Sequence, residues 1–501
     1  MKRRIITSFL TILPVVLLMS ACSVPSSENV VLLPVKDDPT ISFTVWFKVG
    51  SQCDPQGKEG LATLTANLMT EGGTETRNYE EIMEALYPMA AGYGANVDKE
   101  MTVIRGRVHK DNIEEYYGLF TDAILHPGFK DEDFQRIKTD MRNGIEKSLR
   151  YSNDEELGKA AFYDFVYAGT RYGHLDQGSL SSLDAITLDD VRAFYKQWYT
   201  RENFVIGLGG GYDAAIVSRL ETDLKTLAEG APQQPDPPAV APINGLEMTI
   251  VEKECDATAI SFGFPIPVLR GDEDFWALAL FNSWFGEHRN SSSHLYQVIR
   301  EARGMNYGDY SYIEIFPNGG RRQMPEANNA RHQQLFEVWL RPVQHVHRHF
   351  ALRAAMRELQ HVIENGMTQE QFDLSKKFLD KYALQYATTT SERLGYAIDS
   401  KFYGIHGDYI DLFRRRIGDL TLEKVNDAIR RNLQFKNIKF GIVTSGAEAF
   451  KAELVANTPS PVIYDTPKPD EVLEEDKAIE TWPLPFTAEN IRIVPVEDMF
   501  R

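Results

Sequence analysis

Five prolines, Pro232, Pro235, Pro237, Pro238 and Pro242, fall within residues 229–245, a stretch with few large apolar side chains. Such a composition cannot seed a core or continue a helix, so it reads as an extended linker. It divides a chain of 501 residues, too long for one simple core, into two parts of ordinary domain size. Before the linker, alternating β-branched and aromatic residues predict a strand at 41–49, and another follows at 101–108. Apolar spacing predicts helices at 60–70, 79–86, 111–124, 131–149, 156–167 and 188–199, with a closing strand at 203–208. Beyond the linker a similar order restarts. A strand at 259–264, helices at 274–285 and 294–302 and strands at 310–316 and 334–340 come first. Helices at 346–365 and 368–385 and a last clear strand at 438–443 complete it. The expected fold is therefore α+β, two related halves at 41–228 and 246–457. Residues 22–40 read as a tether and 458–501 as an extended acidic tail.

Within the first half, Leu61, Leu64 and Leu68 form the apolar stripe of an amphipathic helix that Gly72 and Gly73 terminate. Positions 63, 66 and 67 share one face of that helix. The frame Gly60-Leu61-Ala62 followed by Leu68-Met69 and Gly72 resembles the first helix of the pitrilysin/insulinase (M16) metallopeptidases. In that family the same positions carry the inverted zinc motif His-x-x-Glu-His. Here they are Thr63, Ala66 and Asn67. A catalytic zinc needs imidazole or carboxylate ligands and an open position for water, and a carboxylate must take that water's proton. The resemblance thus implies a zinc-peptidase fold without its zinc site. The alternative is an ordinary amphipathic helix.

The resemblance extends further. Tyr172-Gly173-His174, Gly178, residues 183–187, Phe194-Tyr195 and Tyr199 match the later part of the family's first half, and residues 295–307 match a segment of its second. It implies two α/β domains of the LuxS/mitochondrial-processing-peptidase-like metallohydrolase type. In the family an Arg and a Tyr of the second half reach the peptide near its scissile carbonyl, and the matching positions are Arg300 and Tyr307. A fixed guanidinium and a phenol can orient a peptide and stabilise developing negative charge. Read without the family, Arg300 is a solvated helix residue and Tyr307 a core aromatic. The family's third zinc ligand is a downstream glutamate, and Glu146, 79 positions after Asn67, is the nearest candidate; alone it would be a helix-surface residue. Short two-domain members are often built as pairs, one subunit holding zinc. The expectation is a non-zinc subunit with no cofactor of its own, paired with a zinc-bearing homologue around an unfolded peptide. A non-catalytic peptide-binding or scaffold protein, and an independent zinc enzyme, stand as alternatives.

The first 21 residues carry Lys2-Arg3-Arg4 and a short apolar run, the pattern of a signal peptide. Leu18-Met19-Ser20-Ala21-Cys22 resembles a bacterial lipoprotein box, which makes Cys22 the expected lipidation site and the outer membrane, facing the periplasm, the expected location. A lipid would then be the chain's sole hold on a membrane. The formal charge of −18 disfavours nucleic acid as a partner. Cys53 and Cys255 read as unpaired. His345, His347 and His349 form the sole histidine cluster; in a helix, 345 and 349 could chelate a metal, yet no third ligand is evident beside them. Gly207-Leu208-Gly209-Gly210-Gly211 lacks the spacing of a dinucleotide site, because Tyr212 stands where glycine is needed. It reads as a strand-to-loop turn.

Overall fold

The computed structural model of the chain describes residues 29–316 and 327–501. Its first half runs β1 (Val30–Pro34), β2 (Thr40–Phe47), α1 (Leu61–Glu71), α2 (Tyr79–Leu86), β3 (Gly92–Val97) and β4 (Thr102–His109). There follow α3 (Ile113–Leu125), α4 (Asp131–Asn143), a π-helical turn (Gly144–Ser152), α5 (Asp154–Val166), α6 (Leu180–Ala185), α7 (Leu188–Trp198), β5 (Phe204–Gly210) and α8 (Ala214–Leu224). The second half opens with β6 (Leu246–Glu252), β7 (Ala257–Ile266), α9 (Glu273–Phe285), a second π-helical turn (Tyr296–Glu301), β8 (Asp309–Tyr312) and β9 (Gln334–Gln344). Helices α10 (Arg348–Asn365), α11 (Gln369–Tyr382), α12 (Thr390–Phe402), α13 (Tyr409–Gly418) and α14 (Leu422–Asn432) precede β10 (Ile438–Thr444) and α15 (Ala447–Val455). The chain closes with α16 (Asp470–Ile479) and β11 (Ile491–Pro495).

The two sheets repeat one design. The first is ordered β1-β5-β2-β4-β3 and the second β11-β6-β10-β7-β9-β8. Without β11 the orders superpose strand for strand, with β1 parallel to β5 as β6 is to β10, and the other pairs antiparallel. The relation between the halves is therefore one of topology as well as sequence order.

Each half lends a helix to the other. Helix α5 packs on β10 and β7 of the second sheet, and α12 packs on β1, β5 and β2 of the first. This explains β2, which alternates in sequence but is buried on both faces. Ile41, Phe43, Val45 and Phe47 point into the first-half core, while Trp46 packs with Ile398 of α12. Two glycines permit the close approach. A Cβ on Gly441 would stand 2.6 Å from the Phe162 nitrogen and 2.7 Å from the Gly158 oxygen, both backbone of α5. A Cβ on Gly207 would stand 3.1 Å from Ile398 of α12. The run at 207–210 is therefore not a turn, as its sequence suggested, but strand β5, its side chains missing where a helix from the other half must sit.

Three further expectations are corrected. The supposed tether includes β1, whose apolar Val30-Val31-Leu32-Leu33 pairs with β5. The tail is not an extended arm: α16 packs on α10, and β11 adds a parallel edge strand to β6. It then returns to the first half, where the buried Arg150 side chain donates from Nε to the Met499 carbonyl at 2.8 Å, and Leu180 N–H donates to that of Phe500 at 3.0 Å. The helix expected at 131–149 changes at Gly144 from α to π winding. Residues 229–245 carry no helix or strand. Cys53 and Cys255 are both free, and burial pushes the Cys53 thiol up to about 12. No helix among the described residues is long and apolar enough to cross a membrane. Residues 1–28, with Cys22, lie outside the described residues.

Candidate functional site

Helix α1 starts at Gly60, whose left-handed backbone (φ +96°) turns the chain into the helix. Buried Asp54 accepts from the N–H groups of Gly60 and Ala62, each at 2.7 Å, so a side chain replaces the missing hydrogen bonds of the first turn. The helix is thereby fixed against the sheet with Thr63 and Asn67 facing a cavity of about 580 Å³ between the two halves. Ala66, between them, is fully buried.

The other walls come from both halves. They include β3, the π-helical turn at 144–152, helix α5, the loop at 172–177, and Asn329 and Arg331 of the second half. Gly144, rather than Glu146, faces the cavity beside Thr63 and Asn67; Glu146 is exposed to solvent. The sequence candidate for a third ligand thus lies two residues from the position that faces the motif, and that position has no side chain.

These residues do not fit a zinc ion. Thr63 offers a hydroxyl that already donates to the Asp176 carbonyl at 2.5 Å. Asn67 offers a neutral amide, Ala66 a methyl group and Gly144 nothing, so ligands and proton acceptor are all missing. No group of three or more His, Cys, Asp or Glu among the described residues could hold a metal.

An internal ion network occupies the surroundings. Lys99 Nζ donates to the Asp176 carboxylate at 2.8 Å and to the His174 carbonyl at 2.6 Å, and Ser51 donates to the same carboxylate at 2.5 Å. Across the junction, Arg331 grips Asp98 with two bonds of 2.9 and 2.6 Å. Burial works to raise the Asp176 carboxyl, but the Lys99 and Arg331 cations outweigh it and hold it below the usual carboxylate range. Burial, reinforced by Lys99, lowers His174 to about 4, so it is neutral at pH 7. Sequence reading missed this network. Residues 98–100 look like a charged, exposed turn between strands; the signal is only that no glycine, proline or asparagine supports such a turn, and the partners lie far away in the chain.

Arg300 and Tyr307 lie elsewhere. Arg300 ends the second π-helical turn, pairs with Glu301, and sits with its guanidinium carbon 4.8 Å from the centre of the Tyr296 ring. Tyr307, on the approach to edge strand β8, is 78% exposed. It is neither a core aromatic nor a lining residue of the cavity. Neither Arg300 nor Tyr307 lines the cavity beside Thr63 and Asn67.

The histidines do not converge on a metal position. His345 sits in a 3₁₀ turn and makes hydrogen bonds to Thr258 Oγ1 (2.8 Å) and the Cys255 carbonyl (2.7 Å). His349, in α10, is buried, and burial aided by Arg353 and Arg348 lowers it to about 3.

One buried carboxylate outside the cavity gives a pH prediction. Glu287 is held by Asn290 (3.0 Å), Ser283 (3.1 Å) and Tyr386 (3.2 Å), and burial raises it to about 7. An unfolded glutamate ionises near pH ~4.3, so between the two values the folded state holds the extra proton. Its contribution to stability is fully present below the lower value and is lost as pH rises through 7. Glu287→Gln is expected to flatten the decline in melting temperature between pH 5.5 and 8, measured by scanning calorimetry against the parent chain.

Two family profiles match the chain. One, described as insulinase (peptidase family M16), covers residues 30–169, and the other, described as the peptidase M16 inactive domain, covers 185–379. The repeated sheets, the exchanged helices and these matches define a two-domain metallopeptidase fold; the chain belongs to the M16 family. An uncharacterized zinc protease of Mycobacterium bovis is 24% identical over 417 residues, which are 82% of this chain and 90% of that protein. The non-peptidase homolog YmxG of Helicobacter pylori is 20% identical over 80% of this chain and 88% of its own length. Among solved structures, a peptidase M16 inactive domain from Pseudomonas fluorescens aligns with a TM-score of 0.73 and 22% identity, covering 84% of this chain and 96% of that one. Together with the altered motif positions, these matches support an inactive M16-like protein.

Proposed function

We propose that this chain is the non-zinc subunit of a heterodimeric M16-type peptidase. It presents Arg300 and Tyr307 in trans to a zinc-bearing homologue that encloses an unfolded peptide with it. The observation that carries the reading is the orientation of the retained pair: Tyr307 is exposed, and both residues stand apart from the chain's own altered motif. A phenol turned to solvent is free to serve a site that a second chain completes. In this reading zinc resides in the partner, the lipid on Cys22 holds the complex at the periplasmic face of the outer membrane, and no nucleic acid is involved.

The test is co-expression with a homologue that bears an intact His motif. A stable complex that cleaves unfolded peptides faster than the homologue alone is the expected result; no complex, or unchanged cleavage, would sink the proposal.

A second reading, a non-catalytic peptide-binding or scaffold protein, is favoured by β3. Among the described residues this strand is an edge of the first sheet, pairs only with β4, and lines the cavity through Ala95, Asn96 and Val97. An extended peptide can add to such an edge. Peptide binding by the isolated chain without a partner requirement would favour it. An independent zinc enzyme using the 345–349 histidines has no support in their geometry. Elemental analysis of the purified chain is expected to find no stoichiometric zinc.

A further inference from the structure

Asp309 begins edge strand β8 and is completely buried. Its Oδ1 accepts from the Asn306 amide at 2.7 Å, while Oδ2 is buried without a hydrogen-bond partner among the described residues. Burial raises the carboxyl to about 8, against the opposing pulls of the Asn306 bond and the Arg300 guanidinium. Arg300 is divided in the complementary way. Its Nη1 pairs with Glu301 at the surface, while its Nε is buried without an acceptor among the described residues. One unfilled donor and one unfilled acceptor thus lie within electrostatic reach of each other, and each is costly to leave unmade.

The other neighbours of Asp309 are already engaged. Asn306 also donates to the Arg341 carbonyl at 3.1 Å and accepts from Gly308 N–H at 3.2 Å. On β9, Leu340 stands opposite Asp309, and the Arg341 side chain pairs with Glu155 at 2.9 Å. Tyr310, next along the strand, lies 4.6 Å from His288, ring centre to ring centre. Arg300 is the cation whose field reaches this carboxyl.

We propose that Asp309 is a positioning residue for Arg300. Ionised, it draws the guanidinium inward from Glu301; neutral, it leaves the guanidinium at the surface, available to a peptide carbonyl. The inference rests on the reading that Arg300 contacts peptide, and it adds a regulator to that contact. Peptide affinity should then fall as pH rises through the ionisation of Asp309.

The experiment uses the full chain labelled with [13Cζ]arginine, with the Arg300 signal assigned through Arg300→Lys. Between pH 6 and 9.5 the signal is expected to move with a midpoint near 8 in the parent and to stay fixed in Asp309→Asn, which keeps the Oδ1 acceptor for Asn306. Glu301→Gln, an exposed change that loosens the surface hold, should enlarge the movement. In parallel, the affinity of a fluorescent unfolded peptide for the complex with the zinc-bearing homologue should weaken about fivefold over the same range with the parent chain and stay level with Asp309→Asn. A fixed signal in the parent, or the same movement in Asp309→Asn, overturns the proposal. A signal that titrates while peptide binds at no pH leaves Asp309 in control of Arg300 and instead removes Arg300's role as a peptide contact.

Discussion

In the complex with a zinc-bearing partner, Arg300→Ala combined with Tyr307→Phe should reduce peptide cleavage by about a hundredfold or more, the loss that follows when preorganised donors near developing charge are removed. Complex formation should survive, since Tyr307 is largely solvated and Arg300 pairs with its exposed neighbour Glu301. The loss should fall mainly on kcat if the pair acts on the transition state, and mainly on KM if it only holds the peptide. Steady-state kinetics on the purified pair, with melting curves to confirm folding, separate these cases. Cleavage within twofold of the parent complex would remove both residues from the chemistry.

The largest loss of stability should come from Arg331→Leu. Arg331 and Asp98 are 4% and 3% exposed, and they join the halves through two hydrogen bonds at the wall of the cavity. Removing the cation leaves a buried carboxylate without its partner, which costs about 3–5 kcal/mol. That is a large fraction of the ~5–15 kcal/mol that holds a typical domain folded. Asp98→Asn combined with Arg331→Leu should recover part of the loss, because the stranded charge is gone. Both variants should still melt in one transition, since α5 and α12 give each half part of the other's covering layer. Denaturant titrations followed by fluorescence and circular dichroism would check this; a loss below 1 kcal/mol, or two separate transitions, would contradict it.

Much of the architecture was legible because local patterns reflect what each segment packs against. The alternation in β2 and the leucine stripe of α1 announced a strand and a helix. The proline-rich linker separated two parts that do prove to share one topology. Strand β1 was hidden by its brevity and by its place in a stretch that reads as a tether. Helix α12 and strand β11 carried no cue to their cross-half packing, because a helix's sequence does not say which sheet it will cover. The glycines of β5 were misread for the same reason: a missing side chain in a strand looks like a turn until the helix that fills the space is seen.

The loss of the zinc motif was set by sequence alone, since Thr63, Ala66 and Asn67 lack the imidazole and carboxylate groups of a catalytic zinc site in any fold. So was the presence of an arginine and a tyrosine in the matching segment of the second half. Tertiary structure decided the rest. It showed Gly144, rather than Glu146, facing the altered motif, and it assembled Asp98, Lys99, Asp176 and Arg331 into one ion network from distant parts of the chain. It also buried Asp309, with one oxygen unfilled among the described residues, within the field of Arg300. Residue type fixes which bonds an atom can make, but burial and the arrival of partners from afar fix which of those bonds are made.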